Sequence, residues 1–117
     1  MIKYPAIVIA PQCPEKMEWA NFSNKRNSRE KLLQPEASKP MKLLIDLIRQ
    51  VIKKLPVDTN RIYITGLSMG GHGTYDAIER YPYLFAAAVP ICGGGDVTRA
   101  GLIAHIRSWA FFVVSSL

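Results

Sequence analysis

A chain of 117 residues, 49% hydrophobic and 21% charged, is sized and composed for one small globular domain, which excludes a disordered or fibrous protein. No apolar run approaches the roughly 18 residues of a membrane span, and residues 6–10 end at Pro11, too soon for a secretory signal core. The net charge of +6 lies wholly in residues 1–54, with eleven Lys and Arg against five acids, while residues 55–117 hold four of each; no aromatic residues interleave the basic run, so it reads as a solvated face and no nucleic acid or membrane partner is expected.

In chain order, Ala6-Ile7-Val8-Ile9-Ala10 reads as a strand buried on both faces. Residues 12–37 follow as a long polar excursion with Trp19 and Phe22 as its large anchors. Ser38 is a predicted N-cap with Pro40 in the first turn, and Met41, Leu44, Ile45, Ile48, Val51, Ile52 and Leu55 recur every three or four residues, one stripe of a helix that Pro56 stops. Asp58 and Arg61 form a turn pair leading into a strand over residues 61–65, and residues 74–80 continue a helix that Pro82 closes. Residues 84–92 are a third strand, with Pro90 expected at its end; residues 97–106 are a short helix capped by Asp96, and residues 109–114 a fourth strand. Strands alternating with helical patterns predict an α/β class, with a mostly parallel sheet and crossover helices. Cys13 and Cys92 have neither CxxC spacing nor a histidine at ligand distance, so they are expected to be buried thiols, with no metal and no cofactor. The default location is the cytoplasm, with a secreted parent left open.

The chemistry is concentrated between the second strand and its helix. Gly66-Leu67-Ser68-Met69-Gly70 matches G-x-S-x-G in the strand–turn–helix context that the motif requires. Ser68 is the predicted nucleophile, held on a strained turn so that its hydroxyl projects from the sheet edge. Bulky side chains two residues to either side would collide, which Gly66 and Gly70 avoid, and Gly71 and Gly73 let the helix approach the sheet. The backbone amide of Met69, at the helix N-terminus, is the predicted first half of an oxyanion hole. Gln12 and Trp19, near the carboxyl end of the first strand, are candidates to line the substrate cleft.

The stretch from Val57 through the motif to Tyr75 resembles the phospholipase/carboxylesterase group of α/β hydrolases, which also takes in predicted peptidases and poly(3-hydroxybutyrate) depolymerase-like esterases. Residues 4–14 resemble that family's fourth strand and its exit, and residues 81–96 its sixth, so the resemblance covers most of residues 4–111. It implies a serine hydrolase of small-molecule or polymer carboxylic esters, acting through an acyl-enzyme. It also implies that residues 1–117 form a partial α/β-hydrolase domain, about strands 4 to 7. Family members carry an upstream His-Gly loop with the second oxyanion donor, and an acid and a histidine downstream. Here Trp109-Ala110-Phe111 leads into Phe112 and Val113 where His-Gly is expected, and no Asp or Glu follows Asp96. The sequence therefore predicts a truncated chain, inactive by itself, with a frameshifted or prematurely ended tail over residues 112–117.

His72 and His105 stand at the wrong chain positions for the base. A non-catalytic truncated product is the alternative, and a nucleotide-binding oxidoreductase a remote one: its phosphate-binding turn would need glycine where His72 stands, and no Lys follows Lys54 for a Tyr-x-x-x-Lys pair. The absence of the family's third strand implies exposed strand edges, hence self-association and low stability.

Overall fold

The structure, a computed structural model, describes residues 5–24 and 30–112. Its centre is a parallel sheet in the order β3 (Tyr63–Leu67), β4 (Ala87–Ile91) and β5 (Arg107–Ser108), with helix α2 (Met69–Arg80) crossing from β3 to β4. β3 and β4 pair in register from Tyr63 against Ala87 to Leu67 against Ile91. The second strand thus begins and ends two residues later than its apolar pattern predicts, because its pairing runs on through Gly66 into the motif.

Helix α1 (Lys39–Lys54) forms as its sequence requires. The Ser38 hydroxyl accepts the Met41 amide hydrogen at 3.2 Å, Pro40 sits in the first turn, and Lys53 and Lys54 complement the negative end of the helix dipole. Met41 and Ile45 are buried, and they join Ala77 and Ile78 of α2, Phe85, Ala88 and Ile106 in one core, with Leu44 and Ile48 packed beside it. The predicted stripe is therefore the packing face from Met41 to Ile48, while Val51 and Ile52 are half-buried outside the core and Leu55 at its end is exposed.

Three predicted elements differ. Residues 6–10 form no strand, and Ile7, Val8 and Ile9 are 51%, 81% and 36% exposed. An apolar extended run becomes a strand only when a neighbour supplies backbone donors and acceptors, and among the described residues none lies beside it. Residues 12–37 are not a bare loop, since β1 (Phe22–Asn24) and β2 (Lys31–Leu33) pair antiparallel within them.

β4 carries Pro90 one place inside its end, paired with Gly66. The Pro90 carbonyl accepts the Phe111 amide hydrogen at 3.1 Å, on the β5 side. The amide and carbonyl of one strand residue point the same way, so the donor that proline lacks is missing from that ladder. Accordingly β5 is only two residues long, followed by a single bridge between Ile91 and Phe111, instead of a strand over residues 109–114. Residues 113–117, most of the predicted aberrant tail, lie outside the described residues.

Residues 97–106 hold a 3-10 helix (Val97–Ile103), whose N-cap Asp96 accepts the Thr98 amide hydrogen at 2.9 Å as expected. Asp58 and Arg61 form their turn pair at 2.9 Å. Cys13 and Cys92 are free and half-buried, less enclosed than predicted. The face of the sheet opposite α2 carries an open groove of about 620 Å³ over Tyr63, Thr65, Val89 and Trp109. No described helix is long and apolar enough to cross a membrane.

Candidate active site

β3 leads through Gly66 and Leu67 to Ser68, where the chain reverses sense: Ser68 has φ 56° and ψ −108°, and α2 begins at the next residue. A side chain other than glycine's at φ near +60° costs about 1–3 kcal/mol, so the surrounding structure must impose it. It does so from both sides. The Ser68 amide donates to the Ile91 carbonyl at 2.8 Å, tying the turn to the end of β4, and the Ser68 carbonyl accepts the His72 amide hydrogen at 3.0 Å as the first turn of α2 closes. The hydroxyl makes no capping bond to the helix, and Ser68 is exposed.

Close approach, rather than backbone freedom, accounts for the neighbouring glycines. A Cβ on Gly66 would overlap the Gly70 carbonyl and stand 2.8 Å from the Gly70 Cα. Gly70 itself has open space where its Cβ would be, so the predicted collision is one-sided and lies at Gly66. Gly71 meets the Ile91 carbonyl and the Gly93 amide, as its predicted role against the sheet requires. Gly73 does not face the sheet; a Cβ there would come within 2.5 Å of the Trp19 Cβ.

Ser68 and Met69 are brought together at the junction, and the Met69 amide is the first of the α2 donors that have no partner within the helix. Trp19 is packed on Gly73 and against the core, and its carbonyl accepts the Ser38 hydroxyl at 2.6 Å. Gln12 is exposed and bonds only the adjacent Cys13 carbonyl, at 3.5 Å. Neither is hydrogen-bonded to Ser68 or Met69. The histidines are occupied elsewhere: His72 Nδ1 faces Lys31 and Gly94, and His105 Nε2 lies 2.6 Å from the Pro82 carbonyl with its ring stacked on Tyr83. No group of His, Cys, Asp and Glu suited to a metal ion occurs among the described residues.

Behind the junction, the far side of α2 holds a buried polar network that periodicity does not reveal. Asp76, fully buried, accepts Arg80 Nε at 2.7 Å and the Asn21 amide hydrogen at 2.8 Å, while Arg80 Nη1 donates to the Gln34 carbonyl at 2.7 Å. Asp96 accepts the Leu33 amide hydrogen at 2.9 Å, and its own amide donates to Glu79 Oε1 at 2.8 Å. The β1–β2 hairpin is therefore pinned to α2 and to the exit of β4. The one hint in the sequence is the i,i+4 spacing of Asp76 and Arg80, which ordinarily marks a solvated helix face.

Glu79 is 3% exposed, and its Oε2 has no hydrogen-bond partner. Burial foremost, together with the charges of Asp96 and Asp76, pushes its carboxyl from the ordinary 4.5 up to about 7, against the lowering effect of the Asp96 amide. Across that window the folded chain holds a proton that the unfolded chain has released. Stability must then fall as pH rises from 4.5 towards 7 and level off above. Asp96 is held below its ordinary 3.8, chiefly by the Thr98 hydroxyl, so its own contribution is lost only at lower pH. Melting of the wild type between about pH 5 and pH 8 should show the decline, and Glu79→Gln should flatten it. An equal slope in both proteins would rule out Glu79 as its source.

Comparison with known proteins fits this frame. A bifunctional acetylxylan esterase/xylanase of Neocallimastix patriciarum is 36% identical over 65 residues, 56% of this chain and 10% of that protein. The crystal structure of a thermostable esterase superposes with a TM-score of 0.72 at 46% identity, covering 86% of this chain and 25% of the other. The chain thus spans a tenth and a quarter of the lengths of these relatives, and its parallel sheet and crossover helix are part of an α/β-hydrolase fold. The profile of the prolyl oligopeptidase family matches residues 29–112, well over half of the chain, and the chain belongs to that family.

Proposed function

We propose that Ser68 is the nucleophile of a carboxylic-ester hydrolase that works through an acyl-enzyme. The observation that carries this reading is the exposed hydroxyl on a backbone forced to φ 56° between a parallel strand and the N-terminus of a helix. Ser68 Oγ attacks the ester carbonyl carbon, and its proton passes to a base and then to the departing alkoxide. The carbonyl oxygen gains the charge, and the Met69 amide donates to it at the positive end of α2. Water then adds to the acyl carbon, the bond to Oγ breaks, and the carboxylic acid leaves. The two esterase relatives favour an ester over a peptide bond, and the acetylxylan esterase points to acetylated carbohydrate as one substrate class.

His72 and His105 are committed to other partners, so neither supplies the base. The acid and histidine that the family resemblance places downstream are not among the described residues. The 117-residue chain is accordingly expected to be catalytically near-silent, because serine is a weak nucleophile at its free pKa. Incubation of the purified chain with an activated ester and a fluorophosphonate should give slow labelling, confined to Ser68. Fast stoichiometric labelling would mean that a base is present after all, and labelling that persists in Ser68→Ala would remove Ser68 from the reaction.

A further inference from the structure

We infer that His72 is a positioning residue for the Ser68 junction, using an unprotonated Nδ1 to lock the first turn of α2 against the turn that follows β4; this rests on the reading of Ser68 as nucleophile. His72 lies one helical turn after Ser68, and two other elements reach its ring. The Gly94 amide, in the turn leaving β4, donates to Nδ1 at 3.0 Å, and Lys31 Nζ, from β2, lies 2.9 Å from the same atom. The Gly94 carbonyl is also near, at 3.2 Å, which would suit the opposite tautomer. The Gly94 amide decides between them. A backbone N–H only donates, so a hydrogen on Nδ1 would point a donor at a donor, whereas the lone pair there accepts from Gly94. Lys31 Nζ lies beside both ring nitrogens, 2.9 Å from Nδ1 and 3.4 Å from Nε2. The ring hydrogen then sits on Nε2.

The consequence for the site follows from what the turn touches. The space beside Gly93 is filled by Gly71 and the His72 amide, the latter 2.6 Å from where a Gly93 Cβ would stand. The Ser68 amide is bonded to the Ile91 carbonyl, just before this turn. The Ser68–Ile91 bond and the packing of Gly71 on Gly93 join the start of α2 to the β4 exit, and His72 adds the side-chain bridge that fixes the turn beyond them. Loss of the bridge loosens the first turn of α2 against the β4 exit, and with it the Met69 amide that faces the developing oxyanion. Misplacement on the scale of 1 Å costs on the order of a hundredfold in rate.

Asparagine and leucine separate positioning from bulk. The Oδ1 of asparagine occupies the place of Nδ1 and accepts, whereas leucine has similar volume and no acceptor. In the full 117-residue chain, the slow rate of Ser68 labelling by a fluorophosphonate should fall roughly ten- to hundredfold in His72→Leu and return to within about threefold of wild type in His72→Asn. Hydrogen exchange at Gly94 should follow the same order, and the nitrogen resonances of the wild-type ring should show Nδ1 bare and Nε2 protonated. The ring spectrum keeps the test open even where His72→Leu does not fold. A protonated Nδ1, or unchanged Gly94 exchange and labelling in a folded His72→Leu, would overturn the inference. Labelling that is indifferent to Ser68→Ala would instead sink the nucleophile assignment and leave the tautomer and exchange results to judge His72.

Discussion

Ser68→Ala is expected to lower turnover of a short-chain p-nitrophenyl ester by about three to six orders of magnitude, with little change in KM, in a protein that supplies an acid and a base around this junction. The thermostable esterase, to which 86% of this chain aligns at 46% identity, is the frame into which the segment would be grafted for the test. The magnitude follows from the nature of the step. Without Oγ no acyl-enzyme forms, and what remains is the attack of water on an ester held by an oxyanion donor, which in serine hydrolases retains about 10³ to 10⁴ over the uncatalysed rate. KM should hold because the alanine keeps the turn and the Met69 amide in place. Retention of most of the turnover would show that Ser68 only completes a glycine-rich turn, and the non-catalytic reading of the junction would then stand.

The geometry of this turn could be read from the sequence because its constraints are local. Gly66 is required by an atom only four residues away, the Gly70 carbonyl, so the spacing of the motif encodes the geometry of the turn. The same holds for α1, where Ser38, Pro40 and the stripe from Met41 to Ile52 lie within one helix. Legibility ends where a residue depends on partners far along the chain. Residues 6–10 have the composition of a buried strand but no strand beside them among the described residues, and composition does not carry that information. The β1–β2 hairpin was hidden for the converse reason. Its short strands are held by Asp76 and Arg80, which lie 55 and 46 positions from their backbone partners, and by Asp96, 63 positions from Leu33. Glu79 reads as a solvated helix charge until the exit of β4 is folded over it.

The same network sets the largest expected loss of stability. Arg80→Met should destabilise the chain by about 3–5 kcal/mol, because it strands the Asp76 carboxylate in the interior. The two side chains are 9% and 0% exposed, so water does not take over when the guanidinium is removed. The Asn21 amide would be the remaining donor to Asp76, and the Gln34 carbonyl would lose its bond to Arg80 Nη1. Against a total stability of about 5–15 kcal/mol for an ordinary domain, a loss of this size unfolds a small one at ordinary temperature. A second substitution separates the ion pair from its packing. Asp76→Asn keeps an oxygen for the Asn21 amide and removes the charge, so the double variant Asp76→Asn/Arg80→Met should be more stable than Arg80→Met alone, although it carries one more change. Denaturant melts of the four proteins give the coupling energy directly. If the double variant is instead as unstable as the sum of the two single ones, the charge is not what the arginine satisfies. The hairpin would then be held by the bond from Arg80 to the Gln34 carbonyl, with the carboxylate a bystander.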